Sequence, residues 1–407
     1  MESYDVVVVG ARSAGAATAM LLARAGHRVL LLDRTRFPAD TLSTQHIHRP
    51  GLRLLDRWGL LEPLKAGGCP PVRHISYALE GELRLEGPVP VEERIDAVYA
   101  PRRYVLDSLV ADAAVEAGAE FRDGCTVTGI LTGEGGRVTG VTCRTDGGAT
   151  QEVRARLVVG ADGMRSTVAR LVGARTERED APMTCVYYGY WAGLPAEFEV
   201  HERTGRLIGV VPTHDGLTLV AAYFPQEEFP AVRRDPALAY EEALRSTAPD
   251  LAERAAGARR VERLRGTGSQ FNFFRQATGP GWVLVGDAGC HKDSITGTGI
   301  SDAFEQAAAL ADAVAEGAEA GVGAGAGTES GPGFADEAAL DAALHGYAAA
   351  RDRLMEPRYQ MALDSAGLQV TDERRGFLRW IASDPGSTRA FLSVAVSHVD
   401  AAQFSPA

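Results

Sequence analysis

Three glycine-anchored turns, each directly after a short apolar run, carry the residue types in this 407-residue chain best suited to chemistry. The first is Gly10-Ala11-Arg12-Ser13-Ala14-Gly15, after the valines of residues 6–9. It keeps two of the three glycines of a dinucleotide fingerprint: Gly10 for the tight turn and Gly15 for close packing of a helix on a strand. Arg12 stands where the middle glycine would let backbone approach a pyrophosphate, which leaves helix amides and the macrodipole to hold an anion. Ala16-Ala17 occupy the places where a P-loop needs Lys-Ser/Thr, so that reading fails. Asp33, followed by Arg34, ends a second apolar run 18 residues after Gly15, where a carboxylate can accept from a ribose hydroxyl.

The second turn, Gly160-Ala161-Asp162-Gly163-Met164-Arg165-Ser166, also closes a buried run; an isolated Asp-Gly is equally at home as a plain turn. The third is Val285-Gly286-Asp287-Ala288, followed by His291-Lys292-Asp293 and Gly297-Thr298-Gly299. A strand ending in Gly-Asp delivers a carboxylate to the carboxyl edge of a parallel sheet, where ligands of doubly wound folds lie. Gly-Thr-Gly leads into a helix whose first amides can face a group that becomes anionic.

In this order and at these separations, the three turns resemble those of the FAD-dependent oxidoreductases of the p-hydroxybenzoate hydroxylase fold, the group A flavoprotein monooxygenases. The resemblance runs over residues 4–316. It implies FAD as cofactor, with contacts at Gly10, Gly15, Asp33, Asp162, Gly163, Gly286, Asp287, Gly297 and Gly299, and with Arg12, Arg34 and Thr298 beside them. Arg103, opening the helix at Arg103-Tyr104-Val105-Leu106, matches the family's arginine that reaches the FAD. NADPH or NADH is the implied reductant, with a separate flavin reductase as the other source of electrons. The chain departs from the family at Arg12 and at Ser294, where the family places a proline.

The loop after Gly286-Asp287 should lie near the flavin's reactive edge, so His291, Lys292 and Asp293 are candidates to bind substrate, move a proton or offset the charge of the reduced ring. Lys292 is one of only two lysines among 42 basic residues, which singles it out; the alternative is a solvated loop. His46 and His48 alternate, so an extended segment puts both imidazoles on one face of the pocket. With no third ligand at recognisable spacing they do not read as a metal site, and a structural role competes. Tyr188 and Tyr190, in Tyr187-Tyr188-Gly189-Tyr190-Trp191, and Phe224 are the candidate substrate contacts; half of these rings should face a cavity, though strand packing alone accounts for aromatic runs.

These residues need a scaffold to position them. Strand, turn, helix and strand within residues 4–32 form a βαβ unit. The fold class is α/β: a Rossmann-like FAD-binding domain with an inserted antiparallel-sheet substrate domain and C-terminal helices. Residues 1–72, 101–182 and 271–316 are assigned to the first domain, and 73–100 with 183–270 to the inserted sheet. Residues 51–64 read as one helix, 317–334 as a Gly/Ala/Ser-rich flexible loop and 335–407 as helical.

A formal net charge of −12 argues against a nucleic-acid partner. Five scattered cysteines without pairing read as reduced thiols. The acidic start and the absence of a ~20-residue apolar run predict a cytoplasmic protein with no membrane span. The leading expectation is an NAD(P)H-dependent monooxygenase acting on a small apolar or aromatic molecule of secondary-metabolite type. A reductase or dehydrogenase of isoprenoid- or polyketide-like double bonds is the alternative. A halogenase is disfavoured because Trp-x-Trp-x-Ile-Pro is absent, and a nucleotide-binding protein without turnover is the remaining class.

Overall fold

Residues 6–9, 29–32 and 282–284 are Val/Leu-rich with no polar alternation, as strands covered on both faces require. The computed structural model, which describes residues 2–43, 45–92, 94–322 and 336–397, sets them side by side. The chain opens with β1 (Glu2–Val9), α1 (Ser13–Arg24), β2 (Val29–Leu32), α2 (Arg49–Arg57) and α3 (Leu61–Ala66). Next come β3 (His74–Leu79), β4 (Leu83–Pro88), α4 (Arg103–Glu116), β5 (Glu120–Arg122), β6 (Cys125–Thr132), β7 (Val138–Thr145) and β8 (Thr150–Gly160). There follow α5 (Thr167–Leu171), β9 (Thr176–Asp180), β10 (Thr184–Ala192), β11 (Phe198–Arg203), β12 (Arg206–Thr213) and β13 (Leu217–Pro225). Helices α6 (Phe229–Val232), α7 (Pro236–Thr247) and α8 (Pro249–Ala256) lead to β14 (Arg259–Arg260), β15 (Arg265–Thr267) and β16 (Asn272–Arg275). The chain then gives β17 (Thr278–Gly279), β18 (Trp282–Leu284), β19 (Cys290–His291), α9 (Gly299–Val322), α10 (Glu337–Ala366), α11 (Asp372–Ala382) and α12 (Pro385–Ser397).

The first sheet runs β17-β18-β8-β1-β2-β5, with β6 and β7 attached to β8 as an antiparallel meander. Its central pairs are parallel, and their register decides the site. Val9 stands opposite both Leu32 and Gly160, and Gly160 opposite Leu284. Four strands therefore end at one level, and the residues that follow them (Gly10, Asp33, Ala161-Asp162 and Val285-Gly286-Asp287) emerge along one edge. Because β2 and β8 lie on opposite sides of β1, this edge is the topological switch point at which such sheets bind ligands. Helix α1 is buried continuously from Gly15 to Met20 between α4 and α9, which its small side chains permit.

The second sheet runs β14-β10-β13-β12-β11-β3-β4. It is antiparallel except where β3 joins β11 in parallel, which makes it a mixed sheet rather than a purely antiparallel one. One face packs on the core shared with the first sheet; the other, with Cys185, Ile208, Val220 and Phe224, packs on α7 and α8. A three-stranded sheet, β19-β16-β9, lies at the junction.

Two helical expectations change. Residues 51–64 form two helices, parted where Gly59 takes a left-handed φ of 80°. Of the stretch expected as a flexible loop, 317–322 complete α9 and 323–334 lie outside the described residues. Among the described residues no helix is long and apolar enough to cross a membrane.

Candidate active site

The carboxyl edge of the first sheet opens into a cleft of about 730 Å³ that runs from the Gly10 turn to the start of α9. At its first end Gly10 has φ 101°, and a Cβ there would sit 2.4 Å from the carbonyl oxygen of Ala161. The amino terminus of α1 carries no side-chain cap, so its amides remain available to an anion. Arg12 does not block them. Its guanidinium turns to Asp107 (2.8 Å), which also receives Arg103 (2.8 Å) and the Ser13 hydroxyl (3.2 Å). One fully buried carboxylate thus holds two arginines at the wall where a diphosphate would lie. Asp33 binds Ala11 N–H through Oδ2 and both the Thr35 N–H and hydroxyl through Oδ1. Of its roughly four acceptor positions, one on Oδ2 is left for a ribose.

Farther along, Asp162 accepts from Ser166 and from the Thr167 N–H, capping α5, and so shapes the turn with its side chain. At Gly163 a Cβ would meet nothing within 4 Å, so the backbone faces open cleft. Asp287, by contrast, is exposed in the cleft wall. Behind it the turn is braced from two directions. Arg275 donates to the carbonyls of Ala288 (3.0 Å) and Met164 (3.1 Å), tying the second and third turns together. From α10, Tyr347 donates to Leu284 O (2.9 Å) and Arg351 to Arg275 O (2.8 Å). Asp287→Ala should leave this bracing intact and yield folded protein. A charged-acceptor hydrogen bond is worth about 1.5–3 kcal/mol, so FAD affinity should fall by about ten- to a hundredfold. Equilibrium titration of the apoprotein followed by flavin fluorescence checks this, and wild-type affinity would remove Asp287 from the site.

The last end of the cleft is lined by His291, Lys292, Asp293, Gly297, Thr298 and Gly299. The loop is not solvated: Lys292 is 8% and Asp293 1% exposed. Lys292 pairs with Asp302, which also takes Thr298 Oγ1 (2.7 Å) and Arg358 (2.8 Å). His291 Nδ1 lies against the carbonyl of Phe271, which can only accept, so the neutral ring carries its proton there and leaves Nε2 as the acceptor. Asp293 accepts from the Thr184 hydroxyl (2.8 Å), itself bonded by Gln270 Nε2 (2.7 Å), and caps the next turn through the Ile295 N–H (3.1 Å).

Burial pushes the Asp293 carboxyl up to about 6. A folded pKa above the unfolded 3.8 means that the folded protein holds the proton more tightly. This contribution is complete below the unfolded pKa and is lost as pH rises through about 6. Two pH units of such shift correspond to about 2–3 kcal/mol. Asp293→Asn should therefore remove a downward slope, and its thermal midpoint relative to wild type should rise between pH 4.5 and 7.5, by differential scanning calorimetry. A constant difference across that range would show that Asp293 does not titrate there.

Six of the expected residues do not line the cleft. Gly15 and Gly286 act behind it. A Cβ on Gly15 would lie 1.7 Å from Gly10 O, and one on Gly286 2.8 Å from the Ala14 methyl. His46 and His48 do share a face, with rings in edge contact at 4.3 Å, but they are buried beneath the large sheet. His46 stacks on Phe198 at 4.4 Å, and His48 Nε2 lies 3.1 Å from Thr296 O. Tyr190 is buried under the Arg102 guanidinium, 3.9 Å from its ring. Phe224 is removed from the candidate contacts: it faces α7 and α8, because its partner Cys185 is out of phase with Tyr188 along β10. Tyr188 does reach the cleft.

Sequence reasoning missed Asp107, Arg275, Gln270 and Asp302. Asp107 had a signal, since it lies four residues after Arg103 on one helix face. Asp302 had a similar one, four residues after Thr298 at the start of α9, whereas Arg275 and Gln270 act across long separations and left none.

An uncapped helix start, a carboxylate exposed on the third turn and open backbone at Gly163 and Gly299 fit a long, anionic dinucleotide, and together with the switch-point cleft they define a dinucleotide-binding protein of the Rossmann-like class. The chain belongs to the FAD binding domain family, whose profile matches residues 3–323. It is an FAD-dependent oxidoreductase. It is 30% identical over 313 residues to a digeranylgeranylglycerophospholipid reductase of Methanopyrus kandleri, covering 74% of this chain and 77% of that protein. It is 35% identical over 182 residues to the 6-methylpretetramide 4-monooxygenase of Streptomyces rimosus, covering 43% and 42% respectively. Among solved structures, a myxobacterial chondrochloren halogenase superposes with a TM-score of 0.77 over 97% of both chains at 22% identity.

Proposed function

We propose that the protein is an FAD-dependent monooxygenase that hydroxylates or oxidises a small apolar or aromatic molecule, with NADPH or NADH as the electron source. The observation that carries this reading is the enclosure of the last end of the cleft. Gln270, Asp293 and Ser294, joined by hydrogen bonds through Thr184, line it together with Tyr188 beside the Gly297–Gly299 turn. FAD, when bound, supplies the redox and oxygen chemistry. The protein's share is to exclude water, orient the substrate and manage protons and charge. Asp293 exchanges a proton near neutral pH, with Thr184 and Gln270 as hydrogen-bonded neighbours. Lys292, paired but close to the turn, offsets negative charge that develops there.

A reductase of isoprenoid-like double bonds is the second reading, favoured by the relative that aligns over three quarters of the chain. Halogenation is less well supported. Lys65, the chain's other lysine and the one to weigh as a halogen carrier, sits in the last turn of α3 paired with Glu62 (2.8 Å) and outside the cleft lining, and the likeness to halogenases speaks for the fold alone. The test is an anaerobic titration with NADPH and then NADH, watching the visible flavin band, followed by admission of oxygen with candidate substrate present. Bleaching and oxygen uptake in step with product support the monooxygenase. Product without oxygen selects the reductase, and a band that stays oxidised directs attention to a separate flavin reductase.

A further inference from the structure

The buried carboxylates around this cleft differ in how their charge is met. Asp107 receives Arg12 and Arg103, and Asp302 receives Lys292 and Arg358. Asp293, 1% exposed, has no cation paired with it among the described residues. Its donors are neutral: the Thr184 hydroxyl (2.8 Å) and the Ile295 N–H (3.1 Å). Lys292, the residue before it, turns its ammonium away to Asp302.

Three further groups act on this carboxyl: His291 on its own loop, Cys185 on β10 and Tyr223 on β13. Burial raises the Cys185 thiol and the Tyr223 hydroxyl, so both keep their protons, and His291 is the group among them able to become cationic. Asp293 lines the same end of the cleft as Gly297–Gly299. It is held there through Thr184 and Gln270, which also receives the Ser294 hydroxyl (2.5 Å). A buried carboxyl without a cation keeps or sheds its proton according to the charge that arrives beside it. Burial has already pushed this one up to about 6.

We propose that Asp293 takes up a proton from solvent when bound FAD is reduced, neutralising charge that arrives at this end of the cleft. Two electrons, from a reduced nicotinamide nucleotide or from dithionite, enter the ring with one proton. A second proton passes to the Asp293 carboxylate, which becomes the neutral acid. This rests on the reading of the cleft as the FAD site and is independent of any reaction with oxygen. A negative charge within several ångström should raise the proton affinity of the carboxyl by about one to two pH units. Uptake is therefore confined to a window that opens near pH 6 and closes about one to two units higher.

The midpoint potential of bound FAD is measured anaerobically against reference dyes from about pH 5 to about pH 9, in wild type, Asp293→Asn and Thr184→Val. Below the window wild type and Asp293→Asn should coincide, because residue 293 is neutral in both. Above it wild type should lie lower by about 30–60 mV, since one pH unit of proton linkage is worth about 30 mV in a two-electron couple. Thr184→Val keeps the carboxyl but removes a donor that favours its ionised form, so the divergence should move to higher pH. At about pH 7 the reduced-minus-oxidised infrared spectrum of wild type should gain a protonated-carboxyl band that Asp293→Asn lacks. Parallel potential curves for wild type and Asp293→Asn, or a carboxyl band that persists in Asp293→Asn, would overturn the proposal. A wild-type protein that takes up no FAD would instead overturn the cofactor reading on which it rests.

Discussion

Gly15→Ala should produce a folded protein that purifies without FAD. The new Cβ would lie 1.7 Å from Gly10 O, 2.9 Å from Gly10 C and 3.1 Å from the Ala161 methyl. Two of these atoms belong to the backbone of the very turn that must stay tight, so no side-chain rotation relieves the contact. Either α1 tilts away from β1 or the Gly10 turn opens. Both moves take the first amides of α1 out of line with the cleft and strain the hydrogen bond by which Asp33 holds Ala11 N–H (2.8 Å). Overpacking of this kind costs about 1–3 kcal/mol of stability, which a domain of this size survives, while the anion site depends on tenths of an ångström. An FAD affinity at least about a hundredfold weaker, with the far-ultraviolet circular dichroism of wild type, is the expected result. A yellow Gly15→Ala protein with one FAD per chain would mean that the turn carries no phosphate.

The second large effect is expected at Lys292. Methionine is close to lysine in length and apolar, and Asp302 retains Arg358 and Thr298 as partners, so Lys292→Met should fold and keep its FAD. What it loses is one positive charge at the last end of the cleft. At the effective dielectric of a partly buried site, a unit charge within several ångström of another contributes about 2–4 kcal/mol. Arg358 also pairs with Glu305 (2.7 Å), so the four charges balance and removing the lysine leaves one net negative charge beside the cleft, screened by its neighbours, which places the effect in the lower half of that range. The midpoint potential of bound flavin should fall, and anaerobic reduction should slow by about ten- to a hundredfold in stopped-flow measurements. Lys292→Arg should recover part of the rate. Unchanged potential and rate in Lys292→Met would confine the residue to holding α9 against the loop.

Much of this was legible in the sequence, for identifiable reasons. The turns at Gly10, Asp162 and Gly286-Asp287 follow apolar runs of similar length, and parallel strands whose ends are level bring such turns to one edge whatever lies between them. Order along the chain alone groups Asp293 with the Gly297–Gly299 turn, and both line the same end of the cleft. Side-chain direction was harder to read. Phe224 belongs to a run that is apolar on both faces, so nothing in residues 217–224 distinguishes the cleft side from the α7/α8 side until its register against β10 is known. His46 and His48 alternate as expected, yet the segment that carries them passes beneath the large sheet. Only the tertiary route decides that, as it decides the parallel pairing of β3 with β11. The arginine and glutamine bridges, Arg275 to Met164 and Gln270 to Thr184, join positions about a hundred residues apart and leave no local pattern.

The clamp from α10 onto the Gly286 turn has a consequence for biosynthesis. Tyr347 and Arg351 grip main-chain carbonyls at Leu284 and Arg275, so part of the bracing behind the third turn comes from a helix translated after every residue that lines the cleft. Emerging from the ribosome, the amino-terminal βαβ unit can form early, whereas the complete cradle requires contacts between its first and last thirds. Flavin capture thus comes late on the folding path, after translation has passed α10. Nascent chains shorter than this should stay colourless however much of the first sheet they contain.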